Sequence, residues 1–219
     1  ATNNGVGGTG ARIQIADTIF YNDVLGNATD SITARPVNAC APFCVPYIPS
    51  GGLRFGGNAT LIADRLVSVG IGQAQQLTVA GDLTLIAGTP GNGGTAELLV
   101  DATPPSSPSA SGPGTATVVG NILVDASSGI PATGPGATGH GGTARIAVDS
   151  GSLTANFIAI AANGTGGNLS ATSGGDGIGG NASLSLINGS VTTSALSIAA
   201  NGIGGGRDLL VSGPSITDN

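Results

Sequence analysis

The segment Gly141-Gly142-Thr143-Ala144-Arg145-Ile146-Ala147-Val148 returns 38 residues later as Gly179-Gly180-Asn181-Ala182-Ser183-Leu184-Ser185-Leu186. Nothing else in the chain limits its fold so strongly. A fixed period means that one small supersecondary unit is copied, and a unit too small to bury its own apolar face must bury it against its copies. The same opening stands at Gly93-Gly94-Thr95-Ala96-Glu97-Leu98 and at Gly56-Gly57-Asn58-Ala59-Thr60-Leu61. A degenerate copy lies at Gly7-Gly8-Thr9-Gly10-Ala11-Arg12-Ile13, so the spacings are 49, 37, 48 and 38 residues. A second half-motif follows. It reads Gly151-Ser152-Leu153-Thr154-Ala155 then Ile158-Ala159-Ile160-Ala161-Ala162-Asn163-Gly164, and Gly189-Ser190-Val191-Thr192 then Leu196-Ser197-Ile198-Ala199-Ala200-Asn201-Gly202. Leu77-Thr78-Val79 with Leu83-Thr84-Leu85-Ile86-Ala87, and Ile122-Leu123-Val124-Asp125-Ala126, are its weaker counterparts.

Within each half-motif apolar residues recur at every second position, in short runs bounded by Gly or Asn-Gly, and no window carries the i, i+3, i+4, i+7 pattern of a helix. The expectation is an all-β chain. If copies stack in register, Ala144, Ile146 and Val148 lie over Ala182, Leu184 and Leu186, while Ile158, Ile160 and Ala162 lie over Leu196, Ile198 and Ala200. Such ladders fill a parallel β-helix, here a single domain over 1–219 of about six rungs. The uneven spacing is then explained by Gly/Pro/Ser-rich loops inserted at one corner, at 24–52, 103–114 and 130–142. A β-sandwich also has short alternating strands. The ordered recurrence and the scarcity of aromatics, 3% of the chain, weigh against it.

Charged residues make up 8% of the sequence and hydrophobic ones 40%. That is far below the roughly 25% charge of ordinary globular domains, yet too apolar for a disordered chain. There is no Lys, and Arg12, Arg35, Arg54, Arg65, Arg145 and Arg207 stand singly. Nucleic acid and anionic membranes both need clustered positive charge, so neither is expected as a partner. No apolar run reaches the length of a membrane span, and Ala1 to Gly10 lacks the pattern of a secretion signal, which is expected to be removed or to lie outside this sequence.

Candidate chemistry is sparse. Cys40 and Cys44, in Cys-Ala-Pro-Phe-Cys, are spaced to close a small disulfide ring. Free thiols are the alternative, and a metal site lacks ligands, since the single His140 is a hundred residues away. Asp64, Asp101, Asp125 and Asp149 end strands beside turns, where Asp is favoured for local hydrogen bonding. Gly174-Gly175-Asp176-Gly177-Ile178-Gly179-Gly180 fails the pattern of calcium-binding nonapeptides because its Asp stands at the third position. His140 sits in a Gly-rich loop with no nucleophile motif beside it. Asn-x-Ser/Thr sequences at Asn27, Asn58, Asn163, Asn168, Asn181 and Asn188 fit turn chemistry in so Asn-rich a chain. Phe20, Tyr21, Phe43, Tyr47 and Phe55 fall in the first 55 residues, leaving Phe157 beyond them. Tyr21, Phe43 and Tyr47 form a candidate binding patch, with packing around the Cys ring as the competing account.

The blocks at 151–167 and 189–205 resemble the repeats of filamentous haemagglutinin-like bacterial exoproteins and autotransporter passengers, clearly over about 56–205 and weakly before. That resemblance implies a right-handed β-helix displayed at the bacterial cell surface in attachment or biofilm, and it carries over no catalytic residue. No enzyme activity, cofactor or metal is expected. The expected role is a structural or adhesive extracellular segment, either part of a large adhesin or a subunit stacking end to end into a fibre. Its partners would be copies of itself or neighbouring repeats, and host or matrix glycans. The alternative is a carbohydrate-binding or carbohydrate-processing β-helix, which needs carboxylates and Arg converging in a groove.

Overall fold

The structure, a computed structural model, describes residues 57–72, 76–101, 112–128, 136–167 and 174–205, and the backbone of four earlier strands, Ala11–Ile15, Ile19–Phe20, Ile32–Ala34 and Leu53–Phe55. All regular structure among these residues is β. The strands distribute over three main sheets. The first has the order Ala11–Ile15, Leu66–Ile71, Thr95–Val100, Thr143–Asp149, Asn181–Ile187. The second runs Ile19–Phe20, Leu53–Phe55, Gln76–Val79, Thr115–Val118, Ser152–Thr154, Ser190–Thr192. The main path of the third runs Ile32–Ala34, Ala59–Ala63, Leu83–Thr89, Asn121–Asp125, Phe157–Ala161, Ala195–Ala199.

Neighbours along these three paths are parallel. From Leu66 onward the chain visits the first, second and third sheets in turn, and each new circuit adds a strand beside the last, whereas Leu53–Phe55 and Ala59–Ala63 join the second and third sheets with no described first-sheet strand between Ile32–Ala34 and them. One hairpin interrupts the pattern. Leu83–Thr89 turns back through Pro90 and Gly91 to pair antiparallel with Asn92–Gly93. Gly91 has φ 82°, which suits glycine at the third position of a turn whose second position is Pro. Gly139–His140 and Gly177–Ile178 extend this short sheet, and Gly164–Thr165 pairs with Gly202–Ile203.

Strand alternation sends every second residue into one aliphatic interior. Val67, Val69 and Ile71, then Ala96, Leu98 and Val100, then Ala144, Ile146 and Val148 line it from the first sheet. Leu77, Val79, Ala116, Val118 and Leu153 line it from the second, and Leu83, Leu85, Ile122, Val124, Ile158 and Ile160 from the third. Register pairs Ala144 with Ala182, Ile146 with Leu184, Val148 with Leu186, Ile158 with Leu196 and Ile160 with Ile198. Burial, however, stops one circuit short of the ladder's end. Val148, Ile158 and Ile160 are at most 1% exposed, whereas Leu186, Leu196 and Ile198 are 51%, 45% and 46% exposed. Among the described residues no strand lies over this last circuit, so its inward side chains are core by register and surface by position. Ala182 and Leu184 are partly buried against the core.

The repeat at Gly56 is phased differently from the motif that suggests it. Ala59–Ala63 lies in the third sheet, paired with Leu83–Thr89, and the first-sheet strand of that region is Leu66–Ile71. Asp64 and Arg65 precede it where other circuits carry Gly-Gly. The backbone still works there, because the Arg65 carbonyl accepts from Thr95 N at 2.7 Å, as the Gly94 and Gly142 carbonyls accept from Thr143 and Asn181 N, both at 2.8 Å. Inside the expected 24–52 insertion, Ile32–Ala34 is a strand of the third sheet.

The Gly-Gly corners have a steric cause. A Cβ on Gly142 would overlap the carbonyl of Gly94, and one on Gly180 the carbonyl of Gly142. Backbones of successive circuits touch there with no room for a methyl group. Gly142→Ala is therefore expected to cost about 3 kcal/mol, since the clashing atoms are backbone and cannot swing aside. A urea titration of the variant against the wild type measures it, and an unchanged midpoint would contradict this account of the corner.

Candidate functional site

Outside the core, polar side chains form lines that run from circuit to circuit. On the outer face of the first sheet, register aligns Ser68, Glu97, Arg145 and Ser183. Glu97 accepts from Ser68 Oγ at 2.6 Å and from Arg145 Nε at 2.8 Å, and its carboxylate lies 2.7 Å from the second guanidinium nitrogen. Ser68 is 2% exposed, while the Arg145 side chain is 47% exposed. The two ends of this clamp therefore differ in value. Arg145→Ala removes a surface ion pair and is expected to cost at most about 1 kcal/mol, whereas Glu97→Ala strands the buried Ser68 hydroxyl and is expected to cost about 2 kcal/mol. Thermal unfolding of the two variants side by side checks the order, and equal losses would refute it.

Two further lines stitch the corners. Asn58 Oδ1 accepts from Asp82 N at 2.8 Å, and Asp82 Oδ1 accepts from Asn121 N at 2.7 Å. Asn156 Nδ2 then donates to Asn121 Oδ1 at 3.1 Å. After the third sheet, Ser127 Oγ accepts from Asn163 N at 2.9 Å and Asn163 Oδ1 from Asn201 N at 2.8 Å. Ser128, 1% exposed, accepts from Thr165 N at 2.9 Å. Apart from the Asn156–Asn121 pair, which joins two side chains, each side chain caps a backbone donor of the following circuit, where strands end and ladder bonds run out. Asn58 and Asn163, both in Asn-x-Thr sequences, spend their oxygens on this task.

The remaining acidic and basic candidates do not converge. Asp64 is exposed, Asp125 Oδ1 accepts from Ser127 N two residues on, and Asp149 accepts from Ser150 Oγ at 3.3 Å. His140 is exposed on the short edge sheet, between Asn92 and Ile178 in register. Asp176 is exposed beside Gly177–Ile178, so the Gly-rich segment around it builds a strand. Among the described residues no three His, Cys, Asp or Glu gather as a metal would require. Cys40, Cys44, Tyr21, Phe43 and Tyr47 lie outside the described residues.

The Asp101 carboxyl holds its proton more tightly than an ordinary aspartate. It sits at a corner with φ 54°, and its Oδ2 accepts from Gly114 N at 2.6 Å. Its Oδ1 is buried with no partner among the described residues. Burial raises its pKa above 3.8, the Gly114 bond pulls it back, and the nearby Asp149 charge raises it further. The folded chain thus holds a proton at pH values where the unfolded chain has released it. Stability is expected to fall as pH rises from the ordinary aspartate value through the folded-state one. Asp101→Asn keeps an acceptor for Gly114 and tolerates the left-handed backbone. It should flatten that segment of the profile, as read from urea midpoints between about pH 4 and pH 7.

The second sheet's outer face differs from the other two. Gln76, Thr115, Ser152 and Ser190 form one column, and Thr78, Thr117, Thr154 and Thr192 the next. No charge interrupts these eight positions. The first face carries Glu97 and Arg145, and the third carries Asp125 between Ile86 and Ala161. Periodicity makes all these outward positions legible, but the uniformity of one face appears only once register is known. No protein-family model matches the chain, and no curated protein or solved structure matches it either.

Proposed function

We propose that the chain is a segment of a right-handed parallel β-helix that serves as a structural or adhesive element at a bacterial surface, either within a larger adhesin or as a unit that stacks end to end. The observation that carries this reading is the run of parallel strands held in register through three sheets, with side chains spent on joining one circuit to the next. A scaffold of this kind presents long outer faces and no enclosed pocket of converging acids and bases. In the last described circuit Leu186, Leu196 and Ile198 lie half exposed at positions whose counterparts are buried, and a further strand, from this chain or another, would cover them. Strand edges and apolar side chains left open together invite pairing with a further strand. Extracellular display and attachment rest on the resemblance of the repeats to haemagglutinin-like exoproteins. The proposed partners are neighbouring repeats or copies of the chain, and surface or matrix glycans.

Electron microscopy of the purified chain tests the proposal. Rods or filaments that repeat axially at about 4.8 Å per rung are expected. Filaments much longer than one chain would identify an end-to-end subunit, and single short rods a piece of a longer adhesin. Compact particles with no long axis would overturn both.

A further inference from the structure

We propose that the outer face of the second sheet binds ice, through the two uncharged polar columns Gln76, Thr115, Ser152, Ser190 and Thr78, Thr117, Thr154, Thr192. This goes beyond the surface-scaffold reading and does not depend on filament formation. Ice is a neutral lattice, so its recognition rests on shape and repeated hydrogen-bonding positions, with charge excluded. The three outer faces divide on that criterion. The first is committed to the Glu97 and Arg145 ion pair and the third carries Asp125 within the same four circuits, whereas the eight positions of the last four strands on the second are uncharged and the column meets a charged residue only at Arg54, one strand below Thr78.

Spacing is the second part of the argument. Parallel strands lie about 4.8 Å apart, and alternate residues of one strand about 6.6 Å apart, so the columns form a two-dimensional grid. The prism faces of ice repeat their oxygens with closely similar periods. The hydroxyls of the threonine column are also unspent. Ser152 Oγ approaches Thr115 Oγ1 at 3.4 Å, and the hydroxyls of Thr78, Thr117, Thr154 and Thr192 have no hydrogen-bond partner among the described residues. This contrasts with Ser68, Ser127 and Ser128 elsewhere, whose hydroxyls are used inside the fold. β-Branching restricts each Thr side chain, so little rotamer freedom is lost on binding, and its methyl group packs against a water cage. Below Thr78 the column continues on the backbone as Arg54 and Phe20, which ends the uniform array at four strands.

The test is partition of the purified full chain into a slowly growing ice sphere, beside an unrelated soluble protein of similar size. The wild type is expected to be enriched in the ice and to inhibit its recrystallisation. Thr154→Glu puts a charge on the grid, and Thr117→Tyr breaks its plane with a residue that favours strands. Both should fall to the level of the reference protein while keeping the wild-type circular dichroism. Ser197→Glu, exposed on the third face, should stay enriched. Exclusion of the wild type from ice overturns the proposal, and so does equal loss in Ser197→Glu. Binding to insoluble neutral polysaccharide with exclusion from ice would assign the same face to a glycan instead.

Discussion

Every feature of this molecule depends on strands of successive circuits lying parallel and in strict register. Side chains alternate along a strand with period two, so a slip of one residue would turn Ala144, Ile146 and Val148 out to solvent and bring Arg145 inward. Register is therefore enforced from both sides of each strand. Inside, aliphatic side chains of matched size stack over one another, and outside, Glu97 ties Ser68 and Arg145 across two steps of the ladder.

Corners are where such a ladder is weakest, because strands end and backbone donors lose their partners. Two devices meet the problem. Where circuits approach most closely, glycine removes the side chain, and the carbonyl of one circuit accepts directly from the next, as Gly142 does from Asn181. Where more room remains, Asn, Asp and Ser reach across, as Asn58 does to Asp82 and Asn163 to Asn201. At the described corners, Gly and Asn are thus a consequence of local geometry.

The all-β character and the stacking of the last two copies were legible because their motifs are nearly identical and their alternation is clean. The phase at Gly56 differs from the one its motif implies, for a physical reason. Gly-Gly followed by a small residue marks any tight corner, and the motif at 56 leads into the third sheet, while Leu66–Ile71 enters the first after Asp64-Arg65. Alternation in Leu66-Val67-Ser68-Val69-Gly70-Ile71 was the signal that could have located it. Exposure of Leu186, Leu196 and Ile198 was hidden because periodicity gives the direction of a side chain and not what covers it. The threonine columns are not legible in the sequence for the related reason that Thr78, Thr117, Thr154 and Thr192 are far apart along the chain and meet only through register.

The corner hydrogen bonds have a mechanical consequence. Among the described residues each joins one circuit to its immediate neighbour, and each circuit packs chiefly against those beside it, so no bond among them reaches beyond the next circuit. A force pulling the ends apart along the stacking direction would load one circuit boundary at a time. The chain would then lengthen in steps, each releasing the slack of a single circuit while the others stay folded. A stack of circuits built this way would dissipate a sudden tug repeatedly before it gave way.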